Sequence, residues 1–355
     1  MIVFIVTAAH RYTIDALDAD FGAPLPDCRA LSYEALFAPS NLPGGTYVFG
    51  DVERLSYREI ALAAQVYRQM ATKTGFRVVN DLARARTRYG LLRALHEAGI
   101  NDFDAYRADG FPRPTRFPVF VRIEASHEPA LTGLLADQAA LDAALVALEA
   151  AGHALGRLVV IEYCAEPVAP GLFRRYGAYR IGNRIHLDHV VTEDNWNVKW
   201  GRQGLVGEET YREDDKAVRD NMLAETLGTT FDIAGIAYGR ADFGLVGGRP
   251  QIYEINTNPT VGRLADHPSP TRMATMRFAH ERFAEYLRAI DTPASDARFA
   301  LDPAALPPNA IVAYDEINAL RDHQREIVMA AAPHRGLRAT IGGLVRRLGG
   351  DRRRG

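Results

Sequence analysis

The stretch GRADFGLVGGRPQIYEINTNP, residues 239–259, gathers an arginine, two carboxylates and an asparagine around a Gly-Gly pair. Its pattern predicts two strands joined by a Gly-Gly-Arg-Pro turn. If that turn centres near Gly248, antiparallel partners have constant summed numbers, so Asp242 meets Glu254 and Arg240 meets Asn256. Four polar groups then share one face, while Phe243, Leu245, Ile252 and Ile255 supply core from the other. Two carboxylates and an amide oxygen are hard ligands of the kind that suits Mg²⁺ bridging phosphate oxygens. An adjacent arginine would neutralise a transferring phosphoryl group or an acyl-phosphate. The same spacing also fits a solvated cross-strand pair, or carboxylates that bind arginines structurally. A register slip of one residue would move Glu254 off the face.

The elements around this hairpin form an ordered series. Residues 1 to 100 alternate apolar runs (IVFIVTA, TYVFGD, FRVVND) with helical patterns, which argues for a small parallel α/β layer. Residues 102 to 117, rich in Asp, Pro and Arg, read as a linker. PVFVRIE, an alanine-rich helix over about 137–151 and RLVVIEY make a lobe of roughly fifty residues. RRYGAYRIGNRIHLDHVV alternates around Gly-Asn as a hairpin. DDKAVRDNMLAETLGTTF reads as one helix, and RMATMRFAHERFAEYLRAI as another. Beyond about 292 the chain turns Pro- and Ala-rich, with one more helical stretch near residues 315–332.

R-x-D-F followed eleven residues after the Phe by E-I-N-T-N-P resembles the metal-binding hairpin of the ATP-grasp superfamily. The resemblance implies Asp242, Glu254 and Asn256 as Mg²⁺ ligands and Arg240 as the catalytic contact to the transferred phosphate. It also implies that PVFVRIE supplies Arg122 where the family usually has a phosphate-binding lysine, and that Arg88, at the start of a helix before the lobe, takes a second lysine position. The resemblance further implies that VVIEYC puts Glu162, Tyr163 and Cys164 at the hinge that meets adenine through its backbone. FRRYGAYRIGNRI resembles the strand pair that carries further phosphate- or substrate-binding arginines, here Arg175 and Arg180. The loop ASHEPALTG departs from the family: it has one glycine, Gly133, and offers Ser126 and His127 instead.

The implied fold is α+β: an N-terminal α/β pre-ATP-grasp domain (1–101), an ATP-grasp domain (102–292) with a small lid lobe over about 117–164 and a larger antiparallel-sheet lobe carrying the metals, and a C-terminal extension (293–355). The implied reaction is an ATP- and Mg²⁺-dependent ligation in which a substrate carboxylate, on a small molecule or peptide, becomes an acyl-phosphate and an amine or other nucleophile displaces phosphate. A phosphotransferase (kinase), or a nucleotide-binding protein without turnover, are the alternatives. Many such enzymes are homodimers.

Composition bounds this reading. With 42 basic and 44 acidic residues and a net charge of -2, the 355-residue chain has no global footprint of a nucleic-acid binder. No stretch has the length of a membrane span, and two cysteines, Cys28 and Cys164, make neither a disulfide framework nor a metal site. A cytoplasmic protein is expected. Three of the basic residues are lysine, Lys73, Lys199 and Lys216, so an arginine can stand where a motif has lysine. The loop NWNVKWG, residues 195–201, could close over substrate, with Lys199 meeting a phosphate or carboxylate. His186 and His189 read as surface hydrogen bonders. The terminal GDRRRG reads as a solvated end. No G-x-x-x-x-G-K-[ST] or G-x-S-x-G motif occurs.

Overall fold

The computed structural model describes residues 1–17, 21–38, 41–126, 129–261, 266–293, 295–302 and 304. The helical stretch expected near 315–332, the terminal GDRRRG, almost all of the C-terminal extension and His127 lie outside these residues.

The N-terminal layer contains β1 (Ile2–Val6), α1 (Tyr12–Asp15), β2 (Cys28–Ser32), α2 (Tyr33–Phe37), β3 (Leu42–Pro43), β4 (Gly45–Phe49), α3 (Tyr57–Ala71) and β5 (Phe76–Val79). Its sheet runs β2-β1-β4-β5, and every pairing in it is parallel. β1 and β4 are buried along their whole length, as continuous apolar runs in a covered parallel sheet must be. A capping box from Ser56 to Glu59 starts α3, satisfying two orphan amide donors. The parallel layer is as expected, although β2 and α2 carry no clear periodic signal.

After α4 (Arg88–Glu97) come β6 (Ala105–Arg107), β7 (Val119–Ile123), α5 (Gln138–Ala150) and β8 (Leu158–Glu162). The small sheet runs β6-β8-β7, antiparallel throughout. The segment expected as a linker therefore supplies a strand. Glu162 explains why: its buried carboxylate accepts hydrogen bonds from the Asp104, Thr115 and Arg116 amides at 2.9–3.0 Å, fixing a segment whose composition alone suggests a loop.

The larger sheet is built from β9 (Pro167–Ala169), β10 (Leu172–Ile181), β11 (Arg184–Glu193), β12 (Tyr238–Val246) and β13 (Arg249–Asn256), in the order β11-β10-β12-β13 with β9 against β10. One face packs on α4, α6 (Glu208–Arg219) and α7 (Ala224–Ala234). The helix expected as continuous breaks between α6 and α7, where Asn221 and Leu223 adopt φ of 52° and 66°. The Asn221 amide bonds the Ile185 carbonyl and the Leu187 N–H of edge strand β11, each at 2.8 Å. The other face meets α8 (Pro270–Ile290), and Tyr179, Tyr238 and Phe283 share a core with Ile2, Phe4 and Val48 of the parallel sheet. β14 (Arg298–Phe299) closes on β3.

Candidate active site

The β12–β13 hairpin turns at Gly247 and Gly248, whose φ values of 55° and 76° suit a two-residue hairpin turn. Taken alone, that turn would pair residues summing to 495, as Val246 with Arg249 and Phe243 with Ile252 do. A bulge at Tyr253 adds one residue, so Asp242 pairs with Glu254 and Arg240 with Asn256. The expected partners are thus reached through a bulge, a device that re-aims side chains beside functional sites. Without it Glu254 would leave the face that Asp242 occupies. Phe243 and Ile252 are fully buried on the opposite face.

Both carboxylates hold arginines. Asp242 accepts from Arg240 Nε at 2.9 Å and from Arg175, and Glu254 accepts from Arg88. Burial alone would lower the Arg240 guanidinium, but Asp242 outweighs it and holds the group above its ordinary value. The Asn256 amide oxygen accepts the Asn258 N–H at 3.0 Å. Arg88 also donates to the carbonyls of Glu124 and Ser126 at 2.7 and 2.9 Å, so it ties the loop after β7 to the hairpin. Arg122 donates to Ser126 O at 3.0 Å. Burial, with Arg88 beside it, brings the Arg122 guanidinium down to about 10 against the opposing pull of Glu254.

These groups border a pocket between the small and large sheets, lined by Arg122, Glu162, Tyr163, Cys164, Arg175, Lys199, Asp242 and Glu254. Phe120, Phe103, Ile161 and Tyr253 supply its apolar wall. Tyr253, the bulge residue, donates to the Cys164 carbonyl at 3.1 Å, while burial pushes the Cys164 thiol up. Trp196 reaches over from the loop after β11, 5.0 Å from the Phe120 ring and 5.6 Å from Tyr163. The loop is ordered by Glu193, which accepts the amides of Lys199, Trp200 and Gly201 at 2.7–3.0 Å. Trp196 and Lys199 of this loop both line the pocket wall. Trp200 faces outward, 83% exposed.

Arg180 does not join the site. Tyr179 pairs with Arg240, and Arg180 with Gly239, so Arg180 projects from the opposite face, where it bonds Asp232 of α7 at 2.5 Å. Arg175, five residues earlier, has the other parity and reaches Asp242. Glu162 meets the pocket, but its carboxylate is spent on the 104–116 segment. His186 is a core residue rather than a surface one: it is 2% exposed and stacks on Tyr179. The sequence reading also missed Phe120 and Tyr253 as pocket walls. Their aromatic character beside Arg122 and Glu254 was the available signal.

No family model matches the chain, and no curated protein matches it. Among solved structures, it is similar to D-alanine–D-alanine ligase from Bacillus anthracis complexed with ATP, at 10% identity and TM-score 0.43 over 80% of this chain and 99% of that one. It is similar to RimK domain protein ATP-grasp from Sphaerobacter thermophilus, at 14% and 0.41 over 81% and 100%. VanG D-Ala:D-Ser ligase from Enterococcus faecalis is a third likeness, at 12% and 0.46 over 81% and 98%.

Proposed function

We propose that the chain is an ATP-grasp ligase that uses ATP and Mg²⁺ to activate a substrate carboxylate as an acyl-phosphate for attack by an amine or other nucleophile. The observation that carries this reading is the row Asp242, Glu254 and Asn256, flanked by Arg240 and Arg175, at the edge of a pocket whose far wall is the Glu162–Cys164 hinge.

The donor set fits Mg²⁺. Among the described residues no three His, Cys, Asp or Glu gather as a metal cluster, and two carboxylates with an amide oxygen suit an ion completed by phosphate oxygens and water. Bound there, Mg²⁺ would neutralise and orient the β- and γ-phosphates. The arginines that now compensate Asp242 and Glu254 are the cations that phosphate oxygens would meet. Arg122 would flank the phosphates from the lid, and Arg240 would stand where the attacking carboxylate and the transferring phosphoryl group bring negative charge together, with ADP as the leaving group. Phosphoryl transfer needs positioning and charge neutralisation more than a side-chain nucleophile. Trp196 and Phe120, packed 5.0 Å apart at the pocket wall, would shield an intermediate that water would hydrolyse.

The test supplies MgATP, hydroxylamine and amino acids of either hand as carboxylates. ADP release together with a hydroxamate is expected. ADP release without hydroxamate, using an alcohol acceptor, would support a phosphotransferase. Nucleotide binding with no ADP under every mixture would support a protein without turnover.

A further inference from the structure

The edge of the same sheet presents an acid and an imidazole that the steps above do not use. β11 pairs with β10 as His189 with Gly177 and Leu187 with Ala178, so Asp188 is an extra, bulged residue. This is the second bulge in one row of the sheet. The row reads His189, Gly177, Asp242, Glu254 across four neighbouring strands, and each outer strand is bulged beside it. The bulge at Tyr253 brings Glu254 onto the site face, and that at Asp188 brings His189 there. Gly177 makes room: a Cβ at that position would lie 2.4 Å from the His189 ring. The ring therefore lies over the backbone of Gly177, on the strand between it and Asp242.

His189 Nδ1 is 2.7 Å from Asp188 Oδ2. Asp188 is held below the ordinary carboxylate range: burial would raise it, and the imidazoles of His189, hydrogen-bonded to it, and His186, 3.7 Å away, outweigh burial. As a carboxylate it only accepts, so Nδ1 carries the proton and Nε2 presents its lone pair. The side chain keeps 18% exposure, whereas His186 is sealed under Tyr179 and Tyr286. Burial, together with Arg240 and Arg175, lowers His189 against the pull of Asp188, which leaves the ring neutral at pH 7.

We propose that Asp188 and His189 form the proton-accepting dyad for the nucleophile, with Nε2 of His189 as the catalytic base and Asp188 as its positioning residue. This rests on the ligase reading above. A neutral amine attacks the acyl carbon. As the C–N bond forms and the C–O bond to phosphate breaks, one N–H proton passes to Nε2 and phosphate leaves with the electron pair. The imidazolium then returns its proton to water. Oriented imidazoles paired with a carboxylate do this work in other active sites.

The experiment compares the parent, His189→Asn and Asp188→Asn, with MgATP, each amino acid as carboxylate, and either glycine or hydroxylamine as nucleophile. Hydroxylamine is a strong nucleophile that is uncharged at neutral pH and depends little on a base. For His189→Asn we expect amide formation to fall about 100-fold, with hydroxamate and ADP within about twofold of the parent and an unchanged unfolding midpoint. Asp188→Asn should fall in the same sense by a smaller factor. The amide rate of the parent should rise through an ionisation below the ordinary imidazole value, with Asp188, Arg240 and Arg175 the charged groups acting on the ring, and that arm should be missing from His189→Asn. Amide formation at the parental rate in His189→Asn overturns the dyad alone, as does an equal loss of amide and hydroxamate. A parent that releases no ADP with any acid removes the ligase reading, and the dyad with it.

Discussion

Arg88 shows how one residue serves both structure and site. Its side chain is 5% exposed and donates to Glu254 and to two loop carbonyls within 3.0 Å. Removing one partner of a buried pair leaves the other charge uncompensated, at a cost of about 3–5 kcal/mol. Arg88→Met should therefore lower stability in urea unfolding by about 3 kcal/mol, and combining it with Glu254→Gln should recover part of that loss. Full additivity would mean that the pair is not coupled. The four hairpin residues were legible from their types around a Gly-Gly turn, although the turn alone sets a register one residue short of the observed pairing. The bulge at Tyr253 was not, since nothing in its residue type marks an unpaired position. Arg180 was misplaced where parity could have placed it: residues five apart on a strand face opposite ways, so only one of Arg175 and Arg180 can reach Asp242.

At the scale of elements, α6 packs against α8 and the sheet through a buried acid. Asp214 is 4% exposed with Arg174 4.0 Å away. Burial pushes its carboxyl up to about 6, with Arg174 and Arg272 pulling down and Glu213 pushing up. A folded value above the unfolded one means that its stabilising contribution is present at low pH and is lost as pH rises through 6. Asp214→Asn should therefore gain on the parent by roughly 1–3 kcal/mol at pH 8 and show no gain at pH 4, read by urea unfolding at both. Equal gains at the two pH values would contradict that origin. Periodicity gave α3, α5, α8 and both long hairpins. It joined α6 to α7 because the break depends on Asn221 pairing with a strand more than thirty residues away, and it left β6 as a linker because Glu162, the residue that orders it, is distant in sequence.

For the molecule as a whole, the parallel sheet clamps the hairpin at its root. Asn80, 2% exposed with φ of 68°, donates to the Phe49 and Tyr238 carbonyls at 2.9 Å and accepts from the Ala237 and Tyr238 amides at 2.8 Å. Asp51, in the loop after β4, similarly accepts the Asn258 amide group at 3.1 Å, so both ends of the hairpin are pinned to the layer that precedes it. Asn80→Ala strands four backbone partners, three of them in buried hydrogen bonds, and should cost about 3 kcal/mol, while also weakening nucleotide binding because β12 starts there. A stability loss with unchanged nucleotide affinity would show that the clamp does not position the site. This coupling was invisible in the sequence, where Asn80 sits in an ordinary strand-end context. Among the described residues no helix is long and apolar enough to cross a membrane.

Nucleotide and Mg²⁺ are proposed to meet at Asp242 and Glu254. Thermal unfolding with MgATP reads this out, since a ligand that binds only the folded state at 100 times its dissociation constant stabilises by about 2.7 kcal/mol. A Mg²⁺-dependent rise of the midpoint is expected in the parent and should collapse in Glu254→Gln, a variant that keeps the side chain's shape but withdraws its charge. An unmoved midpoint at millimolar MgATP, or an equal rise in Glu254→Gln, would contradict it.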